Sequence, residues 1–89
     1  MRKFSVEEKL RKTMNKLSKK DSSMLDALIK KINEIVGCKE VSHYKNLRKP
    51  LQHLKRAHIK GPYVLTFRYI ESEDKVIFYD FDHHDKVYK

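Results

Sequence analysis

The sequence predicts an α+β fold: an N-terminal antiparallel α-helical hairpin packed on a three- to four-stranded antiparallel β-sheet, with a short C-terminal tail. Apolar residues recur every three or four positions as far as Gly37, and just after Leu54 the period becomes two, the signatures of helix and strand respectively. The chain is 89 residues long, which gives interior for one core only. Residues 1–89 are therefore read as a single domain.

Ser5-Val6-Glu7-Glu8 has the spacing of a capping box, so the first helix is expected to start near Ser5. Val6, Leu10, Met14 and Leu17 form its apolar stripe, and it is expected to end near Ser18. Asp21-Ser22-Ser23 offers several N-caps for a second helix whose broader face is Leu25, Leu28, Ile29, Ile32, Ile35 and Val36. Gly37 is expected to end that helix in the left-handed conformation. Residues 38–53 lack a sustained period and contain Pro50, so they read as a connection with one turn around Asn46 to Arg48.

Arg56 to Ile59 alternates, Gly61-Pro62 forms a tight turn, and Tyr63 to Ile70 is rich in aromatic and β-branched residues. Glu71 to Asp74 makes the next turn and Val76 to Phe81 a third strand, with a weaker edge strand at Met1 to Phe4. Short loops between consecutive strands imply an antiparallel meander. A helical hairpin on one face leaves the other face to solvent, and the pleat sends Arg56 and His58 to that open face. Tyr63, Phe67, Tyr79 and Phe81 are expected in the core rather than on an RNA-stacking platform.

Charge is distributed unevenly. Residues 1–40 carry eleven Lys/Arg against six acids, residues 41–70 carry seven Lys/Arg, three His and no acid, and the last nineteen carry three Lys and six acids. Concentrated positive potential of this kind suits a polyanion such as nucleic acid. The lone cysteine, Cys38, excludes an intrachain disulfide and a zinc site built on several thiolates. No stretch approaches the roughly 18 apolar residues a membrane span needs, and no apolar leader follows Met1. A cytoplasmic location without membrane attachment is expected.

The strings Lys49-Pro50-Leu51, Arg56-Ala57-His58-Ile59, Tyr63-Val64-Leu65-Thr66-Phe67 and His83-His84-Asp85-Lys86-Val87-Tyr88 resemble the RelE/ParE toxin superfamily, most closely its YafQ-like branch. The resemblance implies an mRNA endoribonuclease that works on the ribosome without metal or other cofactor. It also implies a cognate antitoxin that holds it silent in a hetero-oligomer. His58, His84, Tyr88 and Arg56 fall on catalytic positions. Lys49, Lys55, Arg68, Arg48 and His83 are expected to bind substrate. Pro62 and Val64 depart from the family, standing where an aspartate and an arginine are common, and Arg68 lies on the same pleat as Val64.

In the implied reaction the ribose 2′-OH attacks its own 3′ phosphate and expels the next nucleotide's 5′ oxygen. That needs a base, an acid and fixed cations. Imidazole, with an ordinary pKa of about 6.5, suits both proton transfers, which makes His58 and His84 the acid/base pair. A metal shared by His83 and His84, with Asp82 or Asp85, is disfavoured because neighbouring side chains on a strand point to opposite faces. Two other readings are a ParE-like binder of DNA gyrase, which needs no such pair, and a non-catalytic RNA-binding domain.

Overall fold

The computed structural model describes residues 2–47, 49 and 51–87. Its elements are β1 (Lys3–Val6), α1 (Glu8–Lys20), α2 (Ser22–Gly37), a 3₁₀ turn (Val41–His43), β2 (Lys55–His58), β3 (Tyr63–Ile70), a second 3₁₀ turn (Glu71–Glu73), β4 (Lys75–His83) and α3 (His84–Val87). The sheet order is β1-β4-β3-β2.

The helical hairpin and the meander agree with the sequence pattern, but the sheet is mixed rather than wholly antiparallel. β1 pairs with β4 in parallel, from Lys3 opposite Lys75 to Val6 opposite Phe78. The helices explain the direction. α2 returns the chain to the end where β1 begins, since the Arg2 N–H donates to the Val36 carbonyl. The meander sets out from that end, so its third strand runs the same way as β1.

The same pairing overrides the expected capping box. Ser5 lies in β1 opposite Ile77, and the Glu7 N–H donates to the Phe78 carbonyl at 2.9 Å. α1 therefore starts at Glu8, with Glu7 as an extended N-cap that makes no side-chain bond. A cap contributes about 1 kcal/mol, less than a strand's worth of ladder bonds and the burial that comes with them. Asp21 serves both helices: its N–H donates to the Leu17 carbonyl at the end of α1, and its carboxylate accepts from the Met24 N–H at 3.1 Å.

α2 does not end on a left-handed glycine, because among the described residues the glycine with positive φ is Gly61 (φ 53°), in the β2–β3 turn. Gly37 is the last helical residue, and Cys38 follows in extended geometry. The Arg2 guanidinium supplies the cap instead, donating to the carbonyls of Ile35 at 2.7 Å and Val36 at 3.1 Å.

Leu10, Leu28, Ile32, Ile35 and Val36 of the helices meet Ala57, Leu65, Phe67, Val76, Phe78 and Phe81 of the sheet in one core. Each large apolar side chain fully buried there contributes about 1.5–3 kcal/mol. The second face is not open throughout. Leu47, Val64 and Thr66 are buried but lie outside that core.

Register also shifts between Thr66 and Phe67, where β3 passes from Asp80 to Phe78 and skips Tyr79. A bulge of this kind re-aims side chains. It explains why Phe67 and Phe81 are core residues as expected while Tyr79 lines a cleft on the second face. Earlier in the connection a 3₁₀ turn forms at Val41–His43 and Asn46 bridges to Lys55, while the turn expected around Asn46 to Arg48 runs onto Arg48, outside the described residues.

Candidate active site

Cross-strand rows place the candidate residues. Arg56 lies opposite Thr66, which lies opposite Asp80; His58 lies opposite Val64, which lies opposite Asp82. The second row is at the end of the sheet where β2 turns into β3. The Ile59 N–H donates there to the Tyr63 carbonyl (3.1 Å), and the His84 N–H donates to the Pro62 carbonyl (2.8 Å). His58 and His84 thus flank a single turn. Two strand spacings and a two-residue offset beyond Asp82 separate their backbones, about 12 Å.

His58 is exposed and Arg56 half-buried. Both line a cleft of about 330 Å³ along the edge of β2, together with Lys31, His43, Tyr44 and Lys45. The His43 and Tyr44 rings lie 4.1 Å apart, and Tyr44 also packs edge-on against Phe67 at 5.5 Å. Burial, then the charge of Glu34, pushes the Tyr44 phenol above its ordinary pKa, so it stays a neutral hydrogen-bonding ring. Sequence reasoning missed this His43–Tyr44 pair. It lies in an aperiodic connection, and only the acid-free charge window covering it gave any signal.

Lys55 turns inward to the loop, its ammonium donating to the Tyr44 carbonyl and Asn46 Oδ1, both at 3.0 Å. It holds the wall of the cleft. Lys49 is exposed on the 46–54 connection. Arg68 is exposed on the Val64 pleat but four residues further along β3, about 13 Å from the histidine end. Arg48 and Tyr88 lie outside the described residues.

On β4, Asp80 pairs with Lys9 at 3.0 Å and accepts from the Phe81 N–H at 2.9 Å. Asp82 accepts from the His83 N–H at 2.7 Å. These carboxylates sit in the same rows as Arg56 and His58, which the charge count along the chain did not reveal. A larger cleft of about 420 Å³ is lined by Leu47, Leu51, Leu54, Tyr79, Asp80 and Lys86, among others.

The end of β4 departs from the expected pleat. β4 stops at His83 and α3 begins at His84, so the two imidazoles stack, with centroids 4.7 Å apart and planes at 29°. The premise that they point to opposite faces is therefore wrong. A helical step turns a side chain by about 100° rather than 180°.

No family model matches the sequence. The chain is 46% identical over 89 residues to a Methanocaldococcus jannaschii protein described as a candidate toxin, RelE4, covering all of this chain and 93% of that one. The toxin–antitoxin complex RelBE2 of Mycobacterium tuberculosis contains a chain of the same fold, with TM-score 0.75, 21% identity and coverage of 92% and 96%. Escherichia coli YafQ shares it with TM-score 0.67 and 15% identity over the full length of both chains. By its sequence relative this chain belongs to the RelE-like toxin family.

Proposed function

We propose that this chain is the toxin of a toxin–antitoxin pair and acts as a ribosome-dependent mRNA endoribonuclease. The observation that carries the reading is the placement of His58 and His84 on either side of the β2–β3 turn, with Arg56 two residues from His58 on the same pleat. Two imidazoles on backbones about 12 Å apart reach toward one phosphodiester from either side. One takes the 2′-OH proton as that oxygen attacks phosphorus, and the other protonates the departing 5′ oxygen. Arg56 holds the charge that grows on the phosphate.

Lys49 and Arg68 offer further cations to the message, and Arg48 and Tyr88 keep the phosphate-binding and stacking roles that the family resemblance implies. Ribosome-bound message places the reaction in the cytoplasm. An antitoxin segment covering the cationic end would silence it by charge and apolar burial, and the RelBE2 structure is such a toxin–antitoxin complex.

The test is induced expression of wild type beside His58→Ala and His84→Ala, with growth and mRNA 5′ ends read together. Growth arrest with new 5′ ends that both variants lose is the expected result. Arrest with intact message and altered DNA supercoiling would support gyrase binding instead. Cleavage equal to wild type in both variants would refute the acid/base pair.

A further inference from the structure

Among the described residues, His83, His84 and Asp85 each offer a ligand atom, and these atoms lie within 4.8 Å of one another. The strand-to-helix step at His84 makes the grouping. Asp85 then reaches both rings, Oδ2 lying 3.5 Å from His83 Nδ1 and Oδ1 3.1 Å from His84 Nδ1. The side chains are 36%, 42% and 67% exposed, so an ion has direct access from solvent.

The Asp85 N–H donates to His83 Nδ1 at 3.2 Å, so that nitrogen carries a lone pair rather than a proton, the form of imidazole a metal takes once this long hydrogen bond gives way.

We propose that His83, His84 and Asp85 bind a divalent transition ion of the zinc class, and that the bound ion switches cleavage off by occupying the His84 imidazole. Two imidazoles and a carboxylate suit Zn²⁺, Cu²⁺ or Ni²⁺, whereas Mg²⁺ and Ca²⁺ prefer all-oxygen sets. With bonds of about 2.0–2.1 Å, tetrahedral ligand atoms stand about 3.3 Å apart. The two Asp85 contacts are already near that spacing, and the remaining separation closes by side-chain rotation at an exposed site. Water completes the shell. The binding half stands on these three residues alone; the inhibitory half rests on the ribonuclease reading of His84.

The experiment uses the untagged full chain. Zn²⁺ binding is measured by calorimetry, Co²⁺ coordination by visible absorption, and cleavage with and without Zn²⁺, for wild type, Asp85→Asn and His84→Ala. One Zn²⁺ per chain is expected, with Mg²⁺ not competing. Asp85→Asn should weaken binding at least about tenfold and, measured against its own metal-free rate, resist Zn²⁺ concentrations that stop the wild type. Equal Zn²⁺ binding by wild type and Asp85→Asn, or none by wild type, overturns the site. If Zn²⁺ binds through Asp85 and leaves cleavage untouched while His84→Ala abolishes it, the inhibitory half is wrong. If His84→Ala cleaves like wild type, the ribonuclease assignment fails and the metal site stands.

Discussion

At the Ile70–Lys75 end of the β3–β4 pair, Arg2 donates to the carbonyls of Ile35 and Val36 and to Asp74 Oδ1, while the Tyr69 hydroxyl donates to the same carboxylate at 2.8 Å. At the Tyr63–His83 end, His58 is exposed while Arg56, His83 and His84 are half-buried, and the backbone bonds from Ile59 to Tyr63 and from His84 to Pro62 are joined by the contacts of Asp85 with the His83 and His84 rings. One end uses its charged side chains to close the fold. The other anchors its main chain and leaves its candidate side chains paired with one another on a partly exposed surface. Positioning by backbone lets a functional side chain be replaced with little loss of stability, and the variants below test that separation.

The largest effect is expected from His84→Ala, with cleavage falling about 10²–10⁴-fold and stability to urea changing by no more than about 0.5 kcal/mol. Loss of folding in this variant would break the comparison, since it would make the working end structural. Arg2→Ala is the converse. It strips two α2 carbonyls of a charged donor, and unfolding by urea should show a loss of about 1–3 kcal/mol. Cleavage per folded molecule should be unchanged.

A sharper contrast comes within one face of the sheet. Arg56→Ala removes a cation in the row beside His58 and should lower cleavage about tenfold, the size of one charge-assisted hydrogen bond. Arg68→Ala, about 13 Å along the strand, should cost less than about threefold. Single-turnover rates on a defined message distinguish the two. Equal losses would mean that the substrate track, not the histidine end, sets the rate.

Local pattern carried much of this arrangement. The α2 face, the three strands of the meander and the Arg56/His58 pleat follow from periods of 3.6 and 2 and from turn residues, because those features are set by neighbours in sequence. Three features depend on partners far along the chain. β1 takes Ser5 from its capping box through pairing with β4, Arg2 ends α2 from a distance of more than thirty residues, and the bulge moves Tyr79 to the second face. At the site, His58 and Arg56 were legible as a pair. The stacking of His83 on His84 was not, since it turns on β4 ending at His83, and no glycine, proline or cap residue marks that step in the sequence.

The smallest effect expected is a pH dependence confined to the closed end. The hydrogen bond from Tyr69, then that from Arg2, holds the Asp74 carboxyl below its ordinary pKa. A carboxyl lowered in the folded state stabilises at pH above its unfolded value of about 3.9, and that contribution is lost as pH falls through the lower folded value. The bond to Asp74 also raises the Tyr69 phenol. Its contribution is present below about pH 10 and disappears as pH rises through the folded value. Asp74→Asn should therefore flatten both limbs of the stability profile, whereas Tyr69→Phe should remove the alkaline limb and only weaken the acid one. Asp74 is 61% exposed, so both limbs should shrink in high salt. Urea midpoints from pH 3 to 11 at two salt concentrations measure this. If cleavage by folded molecules changed alongside stability in Asp74→Asn, the two ends would be coupled through the sheet, and the separation of scaffold from chemistry would fail.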